Sequence, residues 1–261
     1  MTGTFSSRHT LEKLIPLIAP AFVVAFGEVA VRLRWVPTSQ FPAPSAIIPA
    51  ICSWPLLQDL GWTCLRVASG VLLGTTIGIC TGLYLSQNKP ADRMFSLTVR
   101  FLAPIPIIIW LPFLVIFLGI GEATKIAFVA TGAFFLVHVH CYHSAKEVDR
   151  LFTELASIYE KGLLARLWHV VAPASTGAIF TAVRLSIALG WVVVAFSEYN
   201  MQETGRGGIG MYILQTSSLG KIEEKFAGMA ILGISGALID YGLVLLERHV
   251  RNWANDSGHT I

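Results

Sequence analysis

The chain has 261 residues, of which 54% are hydrophobic and 13% charged, with a formal net charge of +3 and a mean hydropathy of +0.65. A soluble domain carries about 25% charged residues, so this chain has too little polar surface to coat a water-facing globule. No Lys/Arg block marks a nucleic-acid face. These figures argue against a cytosolic enzyme or a DNA-binding protein and for a chain whose solvent is mostly lipid. Cys52, Cys64, Cys80 and Cys141 make no disulfide framework at this length and read as small apolar residues, although Cys52 and Cys64 share one inter-helix segment. The first ten residues are polar and lack a small-residue cleavage site, so the N-terminus is expected to stay in the cytoplasm.

A bilayer core needs roughly 20 apolar residues in a helix. Windows of that kind run over 14–31, 67–85, 101–120, 126–142, 176–196 and 226–246. The expected fold is an all-α membrane protein, a polytopic bundle of about six transmembrane helices, because lipid offers no partner to unpaired backbone groups. Residues 1–13 and 248–261 read as cytoplasmic tails, and 14–247 as the membrane domain. With the N-terminus cytoplasmic, eleven basic residues lie inside (Arg8, Lys13, Lys89, Arg93, Arg100, Lys146, Arg150, Lys161, Arg166, Arg248, Arg251). Seven lie outside (Arg32, Arg34, Arg66, Lys125, Arg206, Lys221, Lys225), which favours that orientation.

In span one, Glu28 is one turn from Arg32, a spacing that suits an ion pair. Span two carries Gly70, Gly74, Gly78 and Gly82, a glycine at every fourth position and hence one smooth stripe for close helix packing. Span three holds Pro104, Pro106 and Pro112, which remove backbone donors and kink helices; such breaks either line a pathway or are simply tolerated. Near the end of span four, His140 and His143 share a helical face, but His138 points about 200° away from His140, so no metal site is expected. Arg184, at the inner edge of span five, either meets an anionic solute or pairs structurally. Glu198 and Asp240, near the ends of spans five and six, either pair with a basic residue to hold one state closed or simply lie at the interface. Trp62, Trp110 and Trp191 suit pathway walls or interfacial anchors.

Residues 146–173 form the longest polar stretch on the inner side. Val148, Leu151, Phe152, Leu155, Ile158 and Tyr159 recur at helical steps opposite Glu147, Asp149, Arg150, Glu154, Glu160 and Lys161. Gly162 interrupts the pattern, a second apolar piece follows with Leu163, Leu164, Leu167, Trp168 and Val171, and Pro173 closes the segment. Such a helix either lies in the headgroup layer or docks into a groove on a soluble partner.

This stretch resembles the cytoplasmic loop of permease subunits of ATP-driven (ABC-type) importers. Glu154, Leu155 and Ala156 stand at the family's Glu-Ala-Ala, with Pro173 the expected nineteen residues beyond Glu154. Val170 holds the Ile place. Leu155 replaces an Ala, Ala172 replaces a Leu, and Glu160 sits at the Gly position, with Gly162 two residues later. Ala103-Pro104-Ile105-Pro106, Trp110-Leu111-Pro112 and Phe117-Leu118-Gly119-Ile120-Gly121-Glu122 are similar to the third span and following turn of taurine, aliphatic sulfonate and nitrate permeases. So are Phe41-Pro42-Ala43-Pro44-Ser45, Thr181-Ala182-Val183-Arg184, Ala188-Leu189-Gly190-Trp191 with Glu198, Gly205-Arg206-Gly207-Gly208-Ile209-Gly210 and Ile239-Asp240 to other stretches of those permeases.

The resemblance implies a permease dimer, a homodimer, with two copies of an ATP-binding subunit beneath it and an external solute-binding protein. It further implies a coupling helix between spans four and five, resting on the ATPase through Glu154, Leu155, Ala156, Glu160, Gly162 and Pro173. The chain has no G-x-x-x-x-G-K-[ST] loop, so ATP and Mg are expected on the partner, no cofactor on this chain, and no catalysis by it. The expected cargo is a small anion such as a sulfonate, taurine or nitrate, along a pathway that includes Trp110, Pro112, Arg184, Trp191 and Glu198. The alternatives are a secondary transporter without an ATPase, or a membrane-embedded enzyme with a polar cluster at mid-membrane depth.

Overall fold

The computed structural model describes residues 5–148, 162–201 and 207–257, and those residues form helices and turns without a strand. Helix α1 (Phe5–Arg32) covers the first predicted span. Glu28 takes Arg32 at 2.8 Å, and also accepts the backbone N–H (3.0 Å) and hydroxyl (2.8 Å) of Ser45. Ser45 lies in the first turn of α2 (Pro44–Ile51), where Pro44 suits the opening position and a carboxylate complements the helix dipole.

Helix α3 (Trp54–Gln87) has 34 residues, about 51 Å at 1.5 Å per residue, so the predicted window 67–85 is only its inner part. Asn88 ends α3, and its side chain accepts the Ala91 N–H at 3.1 Å to open α4 (Lys89–Leu102). Residues 103–106 then break the chain, and a 3₁₀ turn (Ile107–Ile109) leads into α5 (Trp110–Leu118). The two helices meet at 95°. The continuous third span expected over 101–120 is therefore corrected to an elbow. Pro104 and Pro106 supply no backbone N–H to continue the helical ladder past Ala103, whose own φ and ψ are still helical. Pro112, by contrast, kinks nothing: it stands in the first turn of α5, where a backbone N–H has no intrahelical partner anyway.

Helix α6 (Glu122–Glu147) lies along α3. The glycine stripe of α3 faces it: a Cβ at Gly70 would lie 2.6 Å from Val129 Cβ, at Gly78 3.0 Å from the Phe134 carbonyl oxygen, and at Gly82 2.8 Å from that of His138. At Gly74 it would run into the Ala130 carbonyl. Helix α7 (Thr176–Asn200) crosses this pair, with Gly190 backed onto Val67, Val71 and Val129. The core at this junction joins Val67, Val71, Leu111, Phe128, Val129, Trp191, Val193 and Val194. Helices α8 (Ile209–Ser218) and α9 (Ile222–Ser257) complete the bundle.

Among the described residues, α3, α6, α7 and the 222–245 part of α9 are long and apolar enough to cross a membrane, and the bent α4–α5 pair makes a fifth crossing if taken as one span. Between α6 and α7 the predicted amphipathic helix, with Glu154, Leu155, Ala156 and Glu160, lies outside the described residues. Gly162 is a bend, followed by a helical turn (Leu163–Arg166), a π-helical stretch (Leu167–Val171) and a last turn (Ala172–Ala174) containing Pro173. Leu167 and Val171 are buried with Leu83, Val137 and Cys141, which anchors the end of this segment on the bundle.

Candidate functional site

Helix α7 carries ionised groups near both of its ends. Arg184 and Glu198 are fourteen residues apart in the sequence, about 21 Å along a helix axis, and each belongs to a different constellation.

At the Glu198 end, Thr63 and Arg66 face inward from α3, three residues apart, and Glu122 and Lys125 come from the first turn of α6. The guanidinium of Arg66 donates from Nε and Nη2 to Glu122 (2.7 and 2.5 Å) and from Nη1 to Glu198 and to the Gly207 carbonyl (both 2.6 Å). Glu198 also accepts the Thr63 hydroxyl and the Gly210 N–H, both at 3.0 Å, while the Thr63 oxygen accepts the Ile209 N–H at 3.0 Å. Lys125 Nζ stands 3.4 Å from Glu122. Arg66 and Glu198 are 2% and 1% exposed, a burial that charges tolerate only when paired and hydrogen-bonded. The glycines of the 207–210 turn are explained by close approach: a Cβ at Gly207 would strike Asp59, one at Gly208 the Glu198 carboxylate, and one at Gly210 the Ala195 carbonyl. The cluster thus clamps α3, α6, α7 and the start of α8 together.

At the other end, Arg184 donates from Nε and Nη2 to the two oxygens of Asp240 on α9, at 2.7 and 3.1 Å. These side chains are 33% and 45% exposed. The contact resolves the choice left open for Arg184 and Asp240 to the extent that they pair with each other.

A third constellation closes the far end of α6. The hydroxyl of Tyr142 and the ammonium of Lys146 both donate to Asp92 of α4, at 2.7 and 2.8 Å, and Lys146 lies 4.4 Å from the Tyr142 ring centroid. Nearby, His138 Nδ1 is 2.8 Å from the Thr81 hydroxyl, and His140 Nδ1 is 2.8 Å from the Leu136 carbonyl of its own helix.

Of the five predicted pathway residues, Trp110 and Trp191 pack into one cluster, while Arg184 and Glu198 belong to separate ion pairs. Trp110 meets Phe113 edge to face and Phe135 at a tilt beside the elbow, with Pro112 in the same turn of α5. Beside them is a cavity of about 500 Å³ between residues 103–107 and Gly132, Phe135, His140 and Leu189. Trp191 belongs to the core and also lines a groove of about 440 Å³ between α7 and α9. Glu198 is spent on the Arg66 clamp. The sequence reading missed Arg66, Glu122, Lys125 and Thr63 as a unit, having treated Arg66 and Lys125 as external loop charges.

Residues 70–253 match the family model described as binding-protein-dependent transport system inner membrane component. The chain belongs to this family. Among its relatives, the putative aliphatic sulfonates transport permease SsuC of Bacillus subtilis is 27% identical over 92% of this chain and 87% of its own length. The taurine transport system permease TauC of Escherichia coli is 25% identical, over 92% and 82%. The bicarbonate transport system permease CmpB of Synechocystis is 23% identical, over 75% and 68%. A chain of the inward-facing MetNI methionine ABC transporter superposes with a TM-score of 0.65 at 20% identity, covering 76% of this chain and 96% of that one, which shows the shared fold. This permease is a membrane-embedded, non-catalytic transport subunit. Membership of its family implies an ATP-binding subunit and a solute-binding protein as partners.

Proposed function

We propose that this permease forms the translocation pathway of an ATP-driven importer for a small anionic solute of the sulfonate, taurine or nitrate class, handed over by an external binding protein. The observation that carries the reading is that relatives matching about nine-tenths of the chain are named permeases for aliphatic sulfonates and for taurine. In this reading the subunit works as a homodimer over two ATP-binding subunits, which hold ATP and Mg. It sits in the bacterial inner membrane with both termini in the cytoplasm, as the distribution of basic residues favours. The 146–173 segment is the coupling loop, with Glu154, Leu155, Ala156, Glu160, Gly162 and Pro173 as its contact and turn residues. Closure of the ATPase dimer then biases a two-state bundle through a rigid contact. The glycine stripe at Gly70, Gly74, Gly78 and Gly82 makes α3 and α6 one mechanical unit in that motion.

The test is the complex carrying Glu154→Lys. It is expected to insert in the membrane at the normal level but to lose binding-protein-stimulated ATP hydrolysis or to release the ATP-binding subunit on purification. Unchanged stimulated hydrolysis would remove the 154–173 segment as the coupling element.

A further inference from the structure

Helix α4 carries four charged side chains, Lys89, Asp92, Arg93 and Arg100, in its 14 residues, too many for a segment that crosses hydrocarbon. The uncharged helix α5 packs on the spanning helix α6. Helix α4 turns away from α5 by 95°, which for a helix leaving the end of a span is the direction of the membrane plane. It is held there from the protein side, because Asp92 accepts the Tyr142 hydroxyl and the Lys146 ammonium from the end of α6.

At about 100° per residue, three surfaces of α4 separate. Ser96 and Val99, on the same side as Asp92, face His138 and Tyr142 of α6. On the opposite side Met94, Leu97 and Phe101 fall within an arc of about 60° and are 70%, 75% and 78% exposed. On one flank between these surfaces Lys89, Arg93 and Arg100 fall within an arc of about 40°, all exposed and with no acidic residue among them. Arg100 lies 5.8 Å from the Tyr142 ring centroid. Lys89 and Arg93 have no hydrogen bond or ion pair among the described residues. A strip of cations running beside an open apolar stripe is complementary to an anionic bilayer surface, where the stripe enters the acyl boundary and the cations stay among the headgroups. The same face of a second copy would bring like charges together, so it is a poor match.

We propose that α4 is a lipid-docking helix, whose Met94, Leu97 and Phe101 stripe seats in the inner leaflet while Lys89, Arg93 and Arg100 gather anionic phospholipid around this end of the permease. The inner-leaflet assignment rests on the cytoplasmic placement of the termini proposed above, which puts the junction of α3 and α4 on the inner side. Only residues 103–106 separate α4 from the next helical turn, so the depth at which α4 seats sets the depth of the elbow.

The experiment replaces Leu97 with a benzoylphenylalanine photo-crosslinker in the assembled permease–ATPase complex, in vesicles of mixed phosphatidylcholine and phosphatidylglycerol. Mass spectrometry is expected to find phospholipid attached, with phosphatidylglycerol enriched at least about 3-fold over its share of the vesicle. Lys89→Gln combined with Arg93→Gln should return the ratio to that of the vesicle, while Lys89→Arg combined with Arg93→Lys should keep the enrichment. Salt at about 1 M, which cuts the screening length to about 3 Å, should also abolish it. Cross-linking to the ATP-binding subunit or to a second permease copy overturns the lipid-docking assignment, as does attached lipid with the composition of the bulk. Orientation is read separately, from a protease site fused to the C-terminus. Cleavage in inverted membrane vesicles supports the cytoplasmic placement. Cleavage confined to right-side-out vesicles overturns that placement and the choice of leaflet, and leaves the lipid cross-link to decide what covers α4.

Discussion

The two ion pairs on α7 use the same chemistry to opposite ends. Arg66–Glu198 is almost fully buried, and each partner has further contacts from a different helix or turn. Arg184–Asp240 links α7 to α9 and keeps a third to a half of its surface open. A buried pair is costly to desolvate and more costly to break, so it fixes one arrangement of the helices. A part-exposed pair gains little from its attraction in contact with water and can be exchanged. One end of α7 is accordingly a clamp, and the other is free to respond.

The sharpest way to break this comparison is to remove the cation from each pair and measure thermal unfolding of the purified protein. Arg66→Gln should cost about 3–5 kcal/mol, because Glu198 and Glu122 are left without their main counter-charge. Next comes the seam that lets α3 carry the clamp: Gly74→Leu should cost about 1–3 kcal/mol by forcing α6 away. Gly61→Leu, where a Cβ would meet nothing within 4 Å, should leave stability within about 0.5 kcal/mol of the parent. The smallest loss among the ion-pair changes is expected for Arg184→Gln, about 0–1 kcal/mol, measured on the same melting curve. Equal losses in Arg66→Gln and Arg184→Gln would erase the distinction between the pairs.

Much of this fold was legible in composition, because a run of apolar residues in lipid has few alternatives to a helix. The stripe from Gly70 to Gly82 was legible for the same reason: four-residue spacing puts the glycines on one face whatever lies opposite. The elbow was read only as a set of kinks, since proline spacing does not say whether the chain bends or turns through 95°. The clamp was illegible for a specific reason. Arg66, Glu122, Lys125 and Glu198 all fall just outside the apolar windows that began at 67 and 126 and ended at 196, while the helices themselves run over Trp54–Gln87, Glu122–Glu147 and Thr176–Asn200. An apolar window stops at the first charge, but a charge that finds its counter-ion across the bundle has no need to leave it. The pairing of Arg184 with Asp240 was equally out of reach, because it depends on how α7 and α9 are set against each other.

Transport by this permease is expected to draw its energy from another polypeptide. The most direct measurement is uptake of a labelled sulfonate into vesicles carrying this permease, with its ATP-binding subunit present or omitted, the binding protein outside and ATP inside. Accumulation that requires both the subunit and ATP is the predicted result. Accumulation that persists with the subunit omitted, driven by an ion gradient, would contradict it.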